Sequence, residues 1–374
     1  MTDWSRLVKP SLLGVDPYDP GESLSELRER FGLDELVKLN WNEGLFGPGP
    51  GVLEAAAAEL ENAWMYPEQS YADFRAAVAA SVAARPEQVV PAHGIQALVA
   101  IIGAALVRPG VTAVVPAPTY GLYAQAWSAA GAAVERVPLR GLRLDLEAMA
   151  EATRRTGALL VLVCDPNNPT GAGVEPDEWD AFLELLPGDT VVVADEAYGE
   201  YVEPSLRPPR QRDIDEGRPV IVLRTFSKLF GLAGLRLGYA LAPEPLARYL
   251  DVVQEPFNVN RAALAAGRAA LAVPGLVEQR RRETAEAREV LARGLREAGT
   301  TPHPSRANFL LVDVGVDDVA LTEALLRRGL LIRAGSEFGL PGHVRITVGP
   351  VPIMERVAAE LAEIRATLLE APQT

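Results

Sequence analysis

Lys228 sits where a lysine can act as a nucleophile. In LRTFSKLFGLAGLRLGY, residues 223–239, the hydroxyls of Thr225 and Ser227 flank it and Arg236 follows eight positions later. A lysine amine attacks a carbonyl only when deprotonated, and a partly desolvated setting beside a second cation favours that form. The arrangement suits an enzyme that holds a phosphorylated aldehyde as a Schiff base, with Arg236 supplying the cation and pairing with the phosphate. Taken alone, the stretch fits equally well an exposed lysine in a glycine-rich loop, so the rest of the chain has to decide.

Two other clusters carry chemistry. In VVVADEAYGEY, Asp195 and Tyr198 follow an apolar strand. An aspartate there can pair with a protonated ring nitrogen, and the tyrosine can hydrogen-bond a ring oxygen; a helix N-cap and a core tyrosine are the structural alternatives. The loop DPNNPTG, residues 165–171, is more rigid and specific than an ordinary turn. Its Asn168 can donate to the same ring oxygen.

The elements that must position these residues follow an alternating pattern. From Val89 onward, short Val- and Leu-rich strands alternate with helices, the signature of a mostly parallel sheet sandwiched by helices. Strands are expected at 111–115, 133–137, 158–163, 191–194, 220–223 and 237–241. Ligands in such folds bind beyond the carboxyl ends of the strands. Before this lie a short helix over about 23–31, with Ser23 as N-cap and Glu26 completing a capping box, a strand at 36–39 and the Gly- and Pro-rich loop NWNEGLFGPGPG. After Phe257 the composition shifts to Ala, Glu and Arg with helical periodicity over 261–296, broken at Pro274 and Gly275. Strands at 309–312, 331–333 and 344–348 and helices over 321–328 and 350–369 complete a smaller α+β domain. The expected division is an arm and start of the small domain at 1–42, a large domain at 43–257 and a small C-terminal domain at 258–374, joined by the long helix.

Composition narrows the partners. At 374 residues the chain exceeds the roughly 250–300 at which single cores stop growing, so two domains are expected. A net charge of -14 repels nucleic acid and anionic membrane surfaces, which leaves small molecules as ligands. The lone cysteine, Cys164, lies in an apolar run and reads as a packed core thiol. The first ten residues lack the apolar core of a signal peptide, and the longest apolar run is too short to span a bilayer. These features predict a cytoplasmic protein, and no metal site is expected.

DPNNPTG, then DEAYGEY, then RTFSKLFGLAGLRLGY, in that order, resemble the fold type I pyridoxal-phosphate aminotransferases, and most the histidinol-phosphate aminotransferase branch, over about 36–349. The resemblance implies pyridoxal 5'-phosphate as cofactor, with Lys228 as the Schiff-base lysine, Asp195 on the pyridinium nitrogen, and Tyr198 and Asn168 on the 3-hydroxyl oxygen. It implies a phosphate cup from the backbone of Gly94, Ile95 and Gln96 closed by Thr225, Ser227 and Arg236, with Tyr120 stacked on the ring. Tyr66 resembles a tyrosine that reaches the phosphate of a neighbouring subunit, which implies a homodimer with shared active sites. Arg345 and its helper Arg333 resemble the residues that bind the substrate's anionic group. Asn308, Asn258 and Asn260 also resemble family positions, with capping or turn roles as alternatives. The loop departs from the usual NENPYGP: Phe46 replaces a tyrosine that contacts substrate phosphate, and Trp41 adds apolar bulk. That departure shifts the expected donor from histidinol phosphate toward an aromatic or other apolar amino acid, with a keto acid such as 2-oxoglutarate as acceptor. A decarboxylase on the same scaffold, such as a phosphothreonine decarboxylase, shares the motifs. A cofactor-sensing regulator would need a DNA-binding segment, and none is evident.

Overall fold

The computed structural model describes residues 3–13 and 22–370. Its 13 strands, β1 to β13 in chain order, form three sheets among the described residues. The largest has seven strands: β2 (Val89–Ala92), β3 (Thr112–Ala117), β4 (Ala133–Pro138), β5 (Leu160–Cys164), β6 (Val191–Asp195), β7 (Val220–Thr225) and β8 (Gly238–Leu241), in the spatial order β2-β8-β7-β6-β5-β3-β4. All are parallel except β8, which pairs antiparallel with both neighbours. The reason is the short connection from β7. A parallel return usually runs through an α-helix that crosses the sheet, and residues 226–237 hold no α-helix, only a turn on which Lys228 stands.

Both faces of this sheet are covered. Along β5, Val161 and Val163 enter one apolar core while Leu160, Leu162 and Cys164 enter the other. Along β6, Val192 and Ala194 alternate with Val191 and Val193 in the same way. The near-continuous apolar runs in the sequence follow from this two-sided burial. Because the strands are parallel, His93, Pro118, Asp165, Ala197 and Ser227 all follow strand ends along one edge.

A third core belongs to the C-terminal portion. Here β9 (Thr301–Pro302), β10 (Phe309–Asp313), β12 (Arg333–Ala334) and β13 (His343–Thr347) form an antiparallel sheet in the order β12-β13-β10-β9. β1 (Val37–Lys38) pairs in parallel with β11 (Leu330–Leu331). The single strand expected at 331–333 is therefore two strands in two sheets, with Ile332 buried at the change of direction. β9 was not anticipated, because two residues carry no periodicity.

The expected long helical stretch is two helices, Arg261–Ala272 and Leu276–Glu297, separated at Pro274 and Gly275, the latter at φ +70°. The second starts with Leu276 in a core of the large sheet and ends with Leu291 and Leu295 in the third core. It thus connects the two regions physically. Ser23 caps the helix Leu24–Phe31 through a capping box with Glu26, as its sequence predicts. Part of the expected N-terminal arm lies outside the described residues. No helix among those described is long and apolar enough to cross a membrane.

Candidate active site

A cleft of about 550 Å³ opens beyond the strand ends. Its lining brings together Ile95, Gln96, Tyr120, Asn168, Asp195, Tyr198, Thr225, Ser227, Lys228, Arg236, Arg333 and Arg345, with Trp41 and Glu43 from the N-terminal loop. Residues separated by up to 304 positions in sequence, Trp41 and Arg345, therefore share one cavity.

Lys228 donates from its amine to the Trp41 carbonyl at 2.9 Å. Burial pushes its pKa down to about 8, and the Arg345 guanidinium adds to the shift. Arg236, the cation expected from sequence, contributes less than Arg345, because it is turned toward Gly94 and the phosphate side of the cleft. Asp195 accepts from the Tyr123 hydroxyl at 2.5 Å and from the Ala197 backbone at 2.8 Å. Burial pushes its carboxyl up to about 6 despite these bonds. Tyr123 was missed in the sequence. It stands three positions after Tyr120 in PTYGLY, on the helix Leu122–Ala130. The two rings meet edge to face at 5.3 Å.

Tyr198 is buried and accepts a hydrogen bond from the Asn42 amide at 3.0 Å. Its own hydroxyl hydrogen has no acceptor among the described residues. Asn168 accepts from Arg345 through its side-chain oxygen, and its amide nitrogen has no partner among the described residues. Two polar groups are thus left to donate into one cavity.

Gly94 precedes the helix Ile95–Leu106 at φ +103°, and a Cβ there would lie 2.7 Å from the Arg236 Nη2 atom. The glycine lets the guanidinium close over a helix N-terminus, where backbone amides and the helix dipole favour an anion. Arg236 also lies 3.5 Å from the Ser227 hydroxyl. The Thr225 hydroxyl is used internally, accepting from the Ser227 backbone at 3.0 Å and donating to Leu237 at 3.3 Å.

Beneath the cleft, Arg210 bridges Asp165 and Glu196, each at 2.6 Å, and Arg224 pairs with Glu196 at 2.8 Å. Burial opposes ionisation of Glu196, but Arg224 and Arg210 outweigh it and bring the carboxyl down to about 2. This buried network ties the DPNNPTG loop to the end of β6. Cys164 is buried, and burial pushes its thiol up to about 12, in keeping with a packed core residue.

Arg333 and Arg345 are directly opposed on β12 and β13. Like charges in that relation repel. Arg333 is partly compensated by Glu337 at 3.0 Å. A second cavity of about 390 Å³ adjoins the first, sharing Tyr120, Asn168, Arg333 and Arg345 and adding Arg136 from β4.

Two expected site residues lie elsewhere. Phe46 packs at the edge of the third core, with the Arg280 guanidinium 6.0 Å from its ring, and does not line the cleft. Phe46 therefore gives no reason to disfavour histidinol phosphate, and Trp41 is the ring that lines the cleft. Tyr66 is 78% exposed and stacks on Phe257 at 4.8 Å, outside the cleft of its own chain. Asn260 caps the helix Arg261–Ala272, Asn258 bonds Gln254, and Asn308 donates to the Asn42 and Glu43 carbonyls.

This donor set suits pyridoxal 5'-phosphate: a carboxylate for a ring nitrogen, two donors for a ring oxygen, an anion cup and a depressed lysine. Residues 34–361 match the family model for aminotransferase class I and II. The chain is 39% identical over 354 residues to a histidinol-phosphate aminotransferase of Geobacillus thermodenitrificans, covering 94% of this chain and 96% of that one. It is 38% identical to the one from Anaeromyxobacter sp., with 96% and 99% covered. Histidinol-phosphate aminotransferase from Sinorhizobium meliloti, solved in complex with pyridoxal-5'-phosphate, superposes with a TM-score of 0.89 at 30% identity, covering 96% and 97% of the two chains. The chain belongs to the class I and II aminotransferases, and it is an enzyme of transaminase type with pyridoxal 5'-phosphate as its cofactor.

Proposed function

We propose that this aminotransferase takes its amino group from a phosphate-bearing amine of the histidinol-phosphate type and passes it to 2-oxoglutarate. The observation that carries this reading is the direct opposition of Arg333 and Arg345 at the cleft. Two arginines paired across neighbouring strands and lining the same cleft call for a multiply charged anion, and phosphate and carboxylate both match a planar guanidinium. Arg136 adds positive charge in the adjoining cavity. The naming of relatives as histidinol-phosphate aminotransferases supports the donor.

When bound, the cofactor supplies an electron sink that stabilises charge at the substrate α-carbon. In this reading Asp195 keeps the ring nitrogen protonated, while Tyr198 and Asn168 donate to the ring oxygen. Gly94, Ile95, Gln96, Ser227 and Arg236 hold the phosphate, Thr225 braces the Ser227 backbone, and Tyr120 covers the ring. With its amine free, Lys228 would take the proton from the substrate α-carbon. Its pKa near 8 leaves a useful fraction of free amine near neutrality.

A homodimer belongs to the same proposal. Tyr66 and its neighbours Leu60 and Trp64 expose large apolar side chains on the surface, and a second copy would cover them and receive Tyr66 at its own site. The test is a donor panel with 2-oxoglutarate, comparing histidinol phosphate, phenylalanine, tyrosine, arginine and phosphothreonine while glutamate and carbon dioxide are followed. Preference for histidinol phosphate with glutamate formation supports the proposal. Carbon dioxide release from phosphothreonine would replace it with a decarboxylase.

A further inference from the structure

Asn42 borders the cleft, and its backbone and side chain are both engaged in hydrogen bonds. It is 1% exposed and lies at φ +57°, a left-handed conformation that asparagine adopts more readily than other residues with a Cβ. Its surroundings hold it there. The backbone N–H donates to the Thr347 hydroxyl at 3.0 Å, and the carbonyl accepts from Asn308 at 3.1 Å. The side-chain oxygen lies 3.1 Å from the same Thr347 hydroxyl. That leaves the amide nitrogen, which donates to the Tyr198 oxygen at 3.0 Å. These contacts hold the buried residue in one orientation, with its amide aimed at Tyr198.

We infer that Asn42 is a positioning residue: by donating to the Tyr198 oxygen it commits the tyrosine hydroxyl to donating outward, into the cleft beside Lys228. A phenol oxygen that already accepts a hydrogen bond is a stronger donor through its own hydrogen. The inference rests on the reading that Tyr198 donates to the ring oxygen of the cofactor. Asn42 touches neither cofactor nor substrate in this account. It sets the direction and strength of a bond that another residue makes, and it ties that bond to β13 through Thr347. The titratable and charged groups around Tyr198 are Cys164, Asp195, Lys228 and Arg345, and none of them supplies the hydrogen bond that Asn42 does.

The experiment is a pH titration of the visible absorption of the holoenzyme for wild type, Asn42→Gly, Asn42→Asp, Tyr198→Phe and the double variant Asn42→Gly/Tyr198→Phe, with thermal unfolding recorded for each. Glycine accepts the left-handed backbone, and aspartate keeps the shape while exchanging the amide donor for an acceptor. Weaker donation leaves the negative ring oxygen less well held, so the midpoint of the visible band rises. Asn42→Gly is expected to raise it by about half a pH unit. Asn42→Asp raises it at least as far as Tyr198→Phe, because the carboxylate captures the tyrosine hydrogen. The double variant matches Tyr198→Phe alone. A wild-type midpoint in a folded Asn42→Asp protein overturns the inference, as does a double variant in which the two shifts simply add. An unmoved midpoint in Tyr198→Phe instead removes the underlying reading of Tyr198, and the inference falls with it.

Discussion

Tyr123 donates its hydroxyl hydrogen to Asp195 across 2.5 Å, inside a core that excludes water from both groups. Burial raises the carboxyl to about 6, and this hydrogen bond is the largest influence working the other way. The carboxylate can pair with a protonated ring nitrogen only while it is ionised, so affinity of the cofactor-free protein for pyridoxal 5'-phosphate should fall as pH drops through about 6. Tyr123→Phe removes the bond that favours the charged form, raises the Asp195 pKa and moves that loss to higher pH. At neutral pH the variant should bind the cofactor roughly ten- to a hundredfold more weakly, the worth of a hydrogen bond to a charged group. Fluorescence titration across pH 5 to 8 checks both the magnitude and the direction.

Lys228 should react with the free cofactor along a pH profile centred near 8, well below an ordinary lysine. Below that value the amine is protonated and capture slows; above it the rate levels off. Arg345→Gln removes a like charge, which favours the ammonium form and shifts the midpoint upward. Stopped-flow measurement of the visible band gives the two midpoints, and equal values would show that Arg345 does not act on the lysine.

Gly44 packs against the chain at Lys228: a Cβ there would lie 2.0 Å from the Lys228 carbonyl oxygen and 3.1 Å from the Gly231 Cα. Backbone on the other side cannot yield as a flexible side chain does. Gly44→Ala should therefore lower stability by about 1–3 kcal/mol and lower the thermal midpoint measurably. Gly47→Ala, with open space around its Cβ, should lose less, through its φ of +71° alone. Calorimetry of the two variants side by side separates contact from conformation.

Arg136 is exposed on β4, so Arg136→Gln should fold normally. The expected effect is a rise of roughly three- to tenfold in KM for a phosphate-bearing donor, with kcat little changed and phenylalanine unaffected. This is the signature of a lost screened charge contact rather than of lost catalysis. Steady-state kinetics with both donors is the measurement.

Much of the site was legible in the sequence because its residues follow strands that end on one edge, and each strand carries its own local motif. Lys228, Asp195, Tyr198, Asn168 and Arg236 needed only short-range patterns to be placed. Tyr123 was within reach: it lies three positions after Tyr120 in the same PTYGLY stretch, at the start of the helix that follows. Asn42 was not. Its partner Thr347 is 305 positions away, and a left-handed asparagine has no periodicity to betray it. Phe46 misled for a related reason, since a loop rich in glycine and proline does not reveal which of its side chains faces inward. The division of 331–333 between two sheets depends on remote strands, β1 and β13, which a local pattern cannot see.

The pairing of β1 with β11, and the bonds from Asn308 and Thr347 to residues 39–43, also have a meaning in time. A chain leaving the ribosome presents Trp41 and Asn42 early and Lys228 midway, but the strands that hold the early loop in place emerge only after both. Until then the loop has nothing to register against, and Tyr198 lacks the partner that orients it. A nascent or truncated chain ending before β10 would carry every residue of the cofactor motif and still lack a finished wall. The early loop takes its place only when β10, β11 and β13 are there to receive it.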